Sequence, residues 1–155
     1  MVKIVSLEKL VKILNSKYFN SDIVLVTGCF DLIHPAHKDF LKKAKEQGDI
    51  LLVGLEIDKR VSFLKGKNRP VNNWQKRAEN LAELQAVDFV FPLPEDFGQP
   101  RTRKQFFQKI KINVFALSEN TPYLREKKKL MAVLGVKFFV FPFNFHYSTT
   151  KLLTK

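Results

Sequence analysis

A single cysteine, Cys29, stands among 155 residues. That excludes an internal disulfide framework and any thiolate-rich metal site. Acidic residues are also scarce: 15 Asp+Glu stand against 27 Lys+Arg, a formal net charge of +12. No apolar run approaches the roughly 20 residues needed to cross a bilayer. The opening MVKIVSLEKL carries Lys3, Glu8 and Lys9 and no long apolar block, so it does not read as a secretory leader. There is no internal repeat, low-complexity tract or linker. What is there is 45% apolar content, enough for a real core, on a length that suits one domain over 1–155. These features predict a soluble, reduced, cytoplasmic domain with a preference for anions.

The charge is patchy. Residues 59–77 hold seven basic groups (Lys59, Arg60, Lys65, Lys67, Arg69, Lys76, Arg77) and no acidic one, and residues 100–129 hold nine against Glu119 and Glu126. The rest of the chain is slightly acidic. A basic surplus is the usual footprint of nucleic-acid binding, and Arg101–Lys104 and Arg125–Lys129 prompt that reading. Against it, 101–104 reads as an exposed helix start and 125–129 as a solvated helix face. The aromatic residues are mostly Phe inside apolar runs, which suits a core better than a base-stacking platform.

Five short runs, 23–27, 50–55, 89–91, 114–117 and 138–141, are continuous and rich in Val, Ile and Phe. Runs of this kind predict strands buried on both faces, as in a parallel sheet. Helical spacing falls between them, at 34–47, 74–86 and 122–134, with another amphipathic stretch at 7–14. Pro122 reads as a first helical residue and Gly135 as a stop. Residues 92–100 read as a surface loop. Alternation of this sort predicts an α/β fold, a Rossmann-like doubly wound sheet of five parallel strands. Exposed parts of the Phe-rich stretch 138–145 would offer a homodimer contact.

Ligands of such sheets sit beyond the carboxyl ends of the strands, at the switch point. The first strand runs into Gly28-Cys29-Phe30-Asp31-Leu32-Ile33-His34-Pro35-Ala36-His37. Gly28 lets backbone approach a ligand closely. His34 before Pro35 reads as an N-cap, with His37 in the first turn on the inward face with Leu41 and Ala44. Imidazoles there can donate to phosphate oxygens and stabilise charge developing at a phosphorus under attack. The metal alternative is weak: the third histidine is the distant His146, and no Cys or acidic cluster shares the helix. No metal ligand is assigned.

These residues resemble the cytidylyltransferase-like nucleotidyltransferase superfamily, whose signature is Gly-x-Phe-Asp-x-x-His-x-Gly-His. Gly28, Phe30, Asp31, His34 and His37 match it, and Ala36 replaces a glycine. A second family signature appears as Ser148-Thr149-Thr150-Lys151. The wider likeness is to the nucleotidyltransferase domain of ADP-heptose synthase, through Gly28-Cys29, Lys65-Gly66, Arg69-Pro70-Val71, Arg77-Ala78, Ala86-Val87-Asp88 and Tyr147–Thr150. CTP:glycerol-3-phosphate cytidylyltransferase is a more distant likeness.

The resemblance implies transfer of a nucleoside monophosphate from ATP or CTP to a phosphorylated sugar or polyol, with Mg²⁺ accompanying the triphosphate. It implies that His34 and His37 bind the triphosphate and stabilise the transition state, and that Lys65 and Arg77 contact phosphate, with Lys67 and Arg69 in the same loop. Gly28, Cys29, Phe30, Asp31, Asp58, Tyr147, Ser148, Thr149 and Thr150 would line the nucleotide. The Cys29 thiol needs no catalytic role and reads as a small packed group. Ser118-Glu119-Asn120-Thr121 stands where relatives carry a Gly-Gly-Asp-Tyr type element, on the acceptor side. Ala36 and this departure motivate a second reading, a nucleotide-binding module without turnover.

Overall fold

All five apolar runs become strands of one sheet. The computed structural model describes residues 3–142. The strands are β1 (Ile23–Gly28), β2 (Ile50–Leu55), β3 (Phe89–Pro92), β4 (Val114–Ser118) and β5 (Lys137–Phe141). Every pairing is parallel and the order is β3-β2-β1-β4-β5. The helices described are α1 (Leu7–Ser16), α2 (Pro35–Lys45), α3 (Asp58–Lys65), α4 (Trp74–Ala82), α5 (Pro100–Lys109) and α6 (Leu124–Leu134). They cover both faces. One apolar core joins Leu10, Leu25, Phe91, Phe106, Phe115 and Met131, and the other joins Val26, Leu41, Val53, Ala78, Leu81 and Ala116. That two-sided burial explains why the central strands are continuously apolar and do not alternate.

Local chemistry sets the helix ends. Ser6 Oγ accepts from the Lys9 amide at 3.1 Å, and Asn73 Oδ1 accepts from the Lys76 amide at 2.9 Å, so each cap satisfies a donor that the helix itself leaves open. Pro35 opens α2, and Gly135 closes α6 at φ 70°. The expected start at Pro122 is corrected: α6 begins at Leu124, after Tyr123 in the left-handed region at φ 59°. The helical spacing predicts neither α3 nor the full length of α5. The 92–100 stretch is no simple surface excursion, because Leu93 and Phe97 turn back into the core.

The switch point lies between β1 and β4. β1 pairs with β2 at six positions but with β4 at two, Val24↔Val114 and Leu25↔Phe115. Beyond those pairs the two strands part toward their carboxyl ends. β5 is an edge strand with Val140 37% exposed; residues 143–145 of the expected dimer contact lie outside the described residues.

Candidate active site

Where β1 and β4 part, a cleft of about 510 Å³ opens, with Gly28 on one side and Ser118 on the other. The β1–α2 turn forms its near wall. His34 is the N-cap residue of α2 but makes no side-chain capping bond. Its ring stacks on that of His37, centroids 3.9 Å apart and planes 28° from parallel. The edge of Phe30 meets His37 at 5.5 Å. Burial pushes the His37 imidazole down to about 3, helped by neighbouring His34 and Lys65, while a hydrogen bond to the Leu32 backbone opposes the shift. Burial also lowers His34. Both rings are therefore neutral at pH 7 and each carries a single N–H, for which, in His37, the Leu32 carbonyl competes.

Phe30 adopts φ 44°, a conformation rare outside glycine. Gly28 has a cause beyond ligand approach: a Cβ there would lie 2.8 Å from the Phe30 ring. Cys29 also faces the cleft. Burial first, then nearby Glu56, raises its thiol above the usual range, so it stays protonated.

The 66–73 loop is tied to this turn by Asp31, 1% exposed. Its carboxylate accepts from the Val71 amide (2.7 Å), the Asn72 amide (2.9 Å) and Arg69 Nε (3.0 Å). Burial alone would raise this carboxyl, but the bonds from Asn72, Val71 and Arg69 outweigh it and hold it low. Asp31 is therefore a latch that holds the 66–73 loop against the β1–α2 turn. Arg69 spends Nε on the latch. Its Nη2 is buried with no partner among the described residues, and the side chain lines the cleft beside Lys65, the last residue of α3.

Arg77 is also placed otherwise than expected. It is 0% exposed, with Nε donating to Asn72 O (2.9 Å), Nη1 to Cys29 O (2.8 Å) and Glu56 O (2.9 Å), and Nη2 to Asp58 Oδ1 (2.6 Å). Four of its five N–H groups tie together the β1 turn, the β2 turn and the 66–73 loop, so it shapes the site from within. Asp58 serves as its counter-ion and Lys67 is exposed; neither lines the cleft. Tyr147, Ser148, Thr149, Thr150 and His146 lie outside the described residues.

The far wall holds groups that sequence reasoning missed. Glu56, 6% exposed, accepts from Arg60 Nε at 3.1 Å, and burial raises its carboxyl against the pull of Arg60. Lys127, 5% exposed, reaches Thr121 Oγ1 at 3.4 Å. Arg103, 2% exposed, donates to Gly98 O at 2.7 Å and lies 4.9 Å over the Tyr123 ring. The helix-face readings hold for Arg101, Lys104, Arg125, Lys128 and Lys129, which are exposed, and are corrected at Arg103 and Lys127, which point inward. A signal existed: Leu124, Lys127 and Met131 share one helical stripe, as do Arg103, Phe106, Phe107 and Ile110.

Residues 25–154 match the family described as cytidylyltransferase-like. The bifunctional protein HldE of Helicobacter acinonychis (strain Sheeba) is 36% identical over 99% of this chain and 31% of its own length. That of Helicobacter pylori (strain G27) is 38% identical over the same shares. The chain thus spans 31% of the length of these curated relatives. Among solved structures, the lipopolysaccharide core biosynthesis protein of Thermoplasma volcanium superposes with a TM-score of 0.61 at 22% identity, covering 81% of this chain and 98% of that one. The pantoate-beta-alanine ligase of Francisella tularensis gives 0.70 at 19%, over 92% and 67%. These two likenesses speak for the fold. With the β1–α2 turn, its stacked histidines and a family match over most of its length, the chain belongs to the cytidylyltransferase-like family of nucleotidyltransferases.

Proposed function

We propose that this protein transfers an adenylyl group from ATP to a heptose 1-phosphate and releases pyrophosphate. A phosphate oxygen of the acceptor attacks the α-phosphorus in line, and the bond from that phosphorus to the departing pyrophosphate oxygen breaks. No enzyme nucleophile is needed, so catalysis rests on positioning and fixed charge. The observation that carries the reading is His37, stacked on buried His34 at the carboxyl edge of β1 and lining a cleft that also presents Lys65 and Arg69. The Lys65 ammonium and Arg69 Nη2 are donors for the charge that builds on the phosphates, and His37 joins them by turning its one N–H from the Leu32 carbonyl to a phosphate oxygen. ATP and the heptose acceptor are supported by the likeness to ADP-heptose synthase set out above. The CTP-dependent transfer to a polyol phosphate is the alternative, supported by the more distant likeness to CTP:glycerol-3-phosphate cytidylyltransferase.

Among the described residues no cluster of three or more His, Cys, Asp or Glu is placed to hold a metal. Mg²⁺ in such reactions is held largely by substrate phosphates and water, so a Mg²⁺ ion would come with the triphosphate and offset the repulsion between two phosphorylated reactants. No helix among the described residues is long and apolar enough to cross a membrane. The cytoplasm, where triphosphates and reduced thiols such as Cys29 are kept, is the compartment the reading requires.

The test is pyrophosphate release with ATP or CTP in Mg²⁺, each paired with heptose 1-phosphate or glycerol 3-phosphate. Release with ATP and the heptose is expected. Release with CTP and glycerol 3-phosphate alone moves the assignment to the alternative, and no release with any pair rejects both.

A further inference from the structure

The basic surplus of 100–129 has one member inside the cleft. Arg125, Glu126, Lys128 and Lys129 are exposed, whereas Lys127 between them is 5% exposed and lines the far wall. It occupies the stripe that carries Leu124 and Met131, where a Leu or Met would pack without cost. A buried ammonium is expensive unless it is paired and hydrogen-bonded. Among the described residues Lys127 Nζ has one long hydrogen bond, to Thr121 Oγ1, and a more distant approach of 5.9 Å to the Phe97 ring. The charges around it do not neutralise it. Glu56 is the acid of the group and is already bonded by Arg60, while Arg103 adds a further cation. Arg60 is held against Gly98, where a Cβ would lie 2.9 Å from Nη2, so its guanidinium is seated in the same wall.

We propose that Lys127 and Arg60 form the seat for the anionic group of the second reactant, a hydroxyl-bearing phosphomonoester, and that Glu56 beside them accepts a hydrogen bond from one of its hydroxyls. This rests on the transfer reading above and assigns the acceptor end of the cleft. An excess of cations with one carboxylate among them suits a ligand that carries both phosphate and hydroxyl groups. Lys65 and Arg69 are left for the triphosphate.

The seat has its own pH signature. Burial pushes the Lys127 ammonium down to about 8; Glu56 and Cys29 favour its charged form, and Arg103 and Arg60 oppose it. Above pH 8 it loses the proton that binds the anion. The acceptor phosphate completes its own ionisation near pH 6, in a separate window.

The experiment uses the full chain with Lys127→Met and Lys127→Arg. For Lys127→Met at pH 7.5, ATP·Mg²⁺ affinity measured by calorimetry is expected to stay within about twofold, and the acceptor KM to rise at least about tenfold, the loss expected for a bond to a charged group. Wild-type acceptor KM is expected to climb between pH 8 and 9 and to stay flat there in Lys127→Arg, whose guanidinium does not titrate. An unchanged acceptor KM in Lys127→Met, or an equal loss of ATP affinity, overturns the proposal. Should Lys127→Met fail to fold, the pH profiles of wild type and Lys127→Arg decide alone. If the wild type releases no pyrophosphate with any pair, the transfer reading fails. Calorimetric binding of glycerol 3-phosphate then judges the seat separately: weaker binding in Lys127→Met supports it and equal binding overturns it.

Discussion

His34 and His37 lie face to face at 3.9 Å, a separation at which two imidazolium charges would repel strongly. Burial resolves this by keeping both rings neutral. A stability consequence follows. Unfolded His37 would protonate near 6.5, whereas folded His37 does so near 3. Between those values the unfolded chain binds more protons, so His37's contribution is fully present above about pH 6.5 and is lost as pH falls. Thermal melts from pH 7 to 5 should show a falling midpoint, and His37→Asn should flatten that fall. An equally steep fall in the variant would contradict the assignment. The histidines were legible because residue type, order and a following proline all pointed to one turn. Arg77 was not legible in its role. A list of basic residues cannot tell an arginine that faces open solvent from a buried one that donates four hydrogen bonds, to Cys29, Asn72, Glu56 and Asp58.

Elements with a clean apolar period were the ones read in advance. α3 carries one buried residue, Val61, within DKRVSFLK, so it has no stripe to detect. The inward stripe of α5 starts with Arg103, an arginine in a position that the apolar template expects to be hydrophobic. The start of α6 was misplaced because Tyr123 takes a left-handed backbone that its side chain does not advertise. The 66–73 loop depends on Asp31 in the same hidden way. Asp31→Ala would leave the Val71 and Asn72 amides and the Arg69 guanidinium without their buried acceptor. Urea unfolding is expected to show a loss of about 3 kcal/mol, with Asp31→Asn losing less because one amide oxygen still accepts. ATP affinity should fall in parallel, since Arg69 is placed by that latch.

At the scale of the whole molecule, the strand alternation and the place of the first turn made the sheet and its ligand edge foreseeable. The meeting of Glu56, at the end of β2, with Arg60 of α3, Arg103 of α5 and Lys127 of α6 was not, because these residues come together only after folding. The donor base is open to a measurement on the intact chain. A ligand that binds only the native state raises stability by about 2.7 kcal/mol at one hundred times its Kd. ATP with Mg²⁺ is therefore expected to raise the melting temperature more than equal concentrations of CTP or GTP, and a larger rise with CTP would move the donor assignment.

The short seam between β1 and β4 bears on that choice of base. The two strands pair at Val24↔Val114 and Leu25↔Phe115 and then separate, so beyond those positions their facing backbone edges no longer pair with each other. Peptide groups are strong donors and acceptors that seek partners. A heterocycle lodged in the gap would meet main chain on both flanks, and main-chain recognition leaves no trace in residue type. Discrimination between adenine and cytosine can then reside in the angle at which two strands diverge, a property that the alphabet of side chains does not spell out.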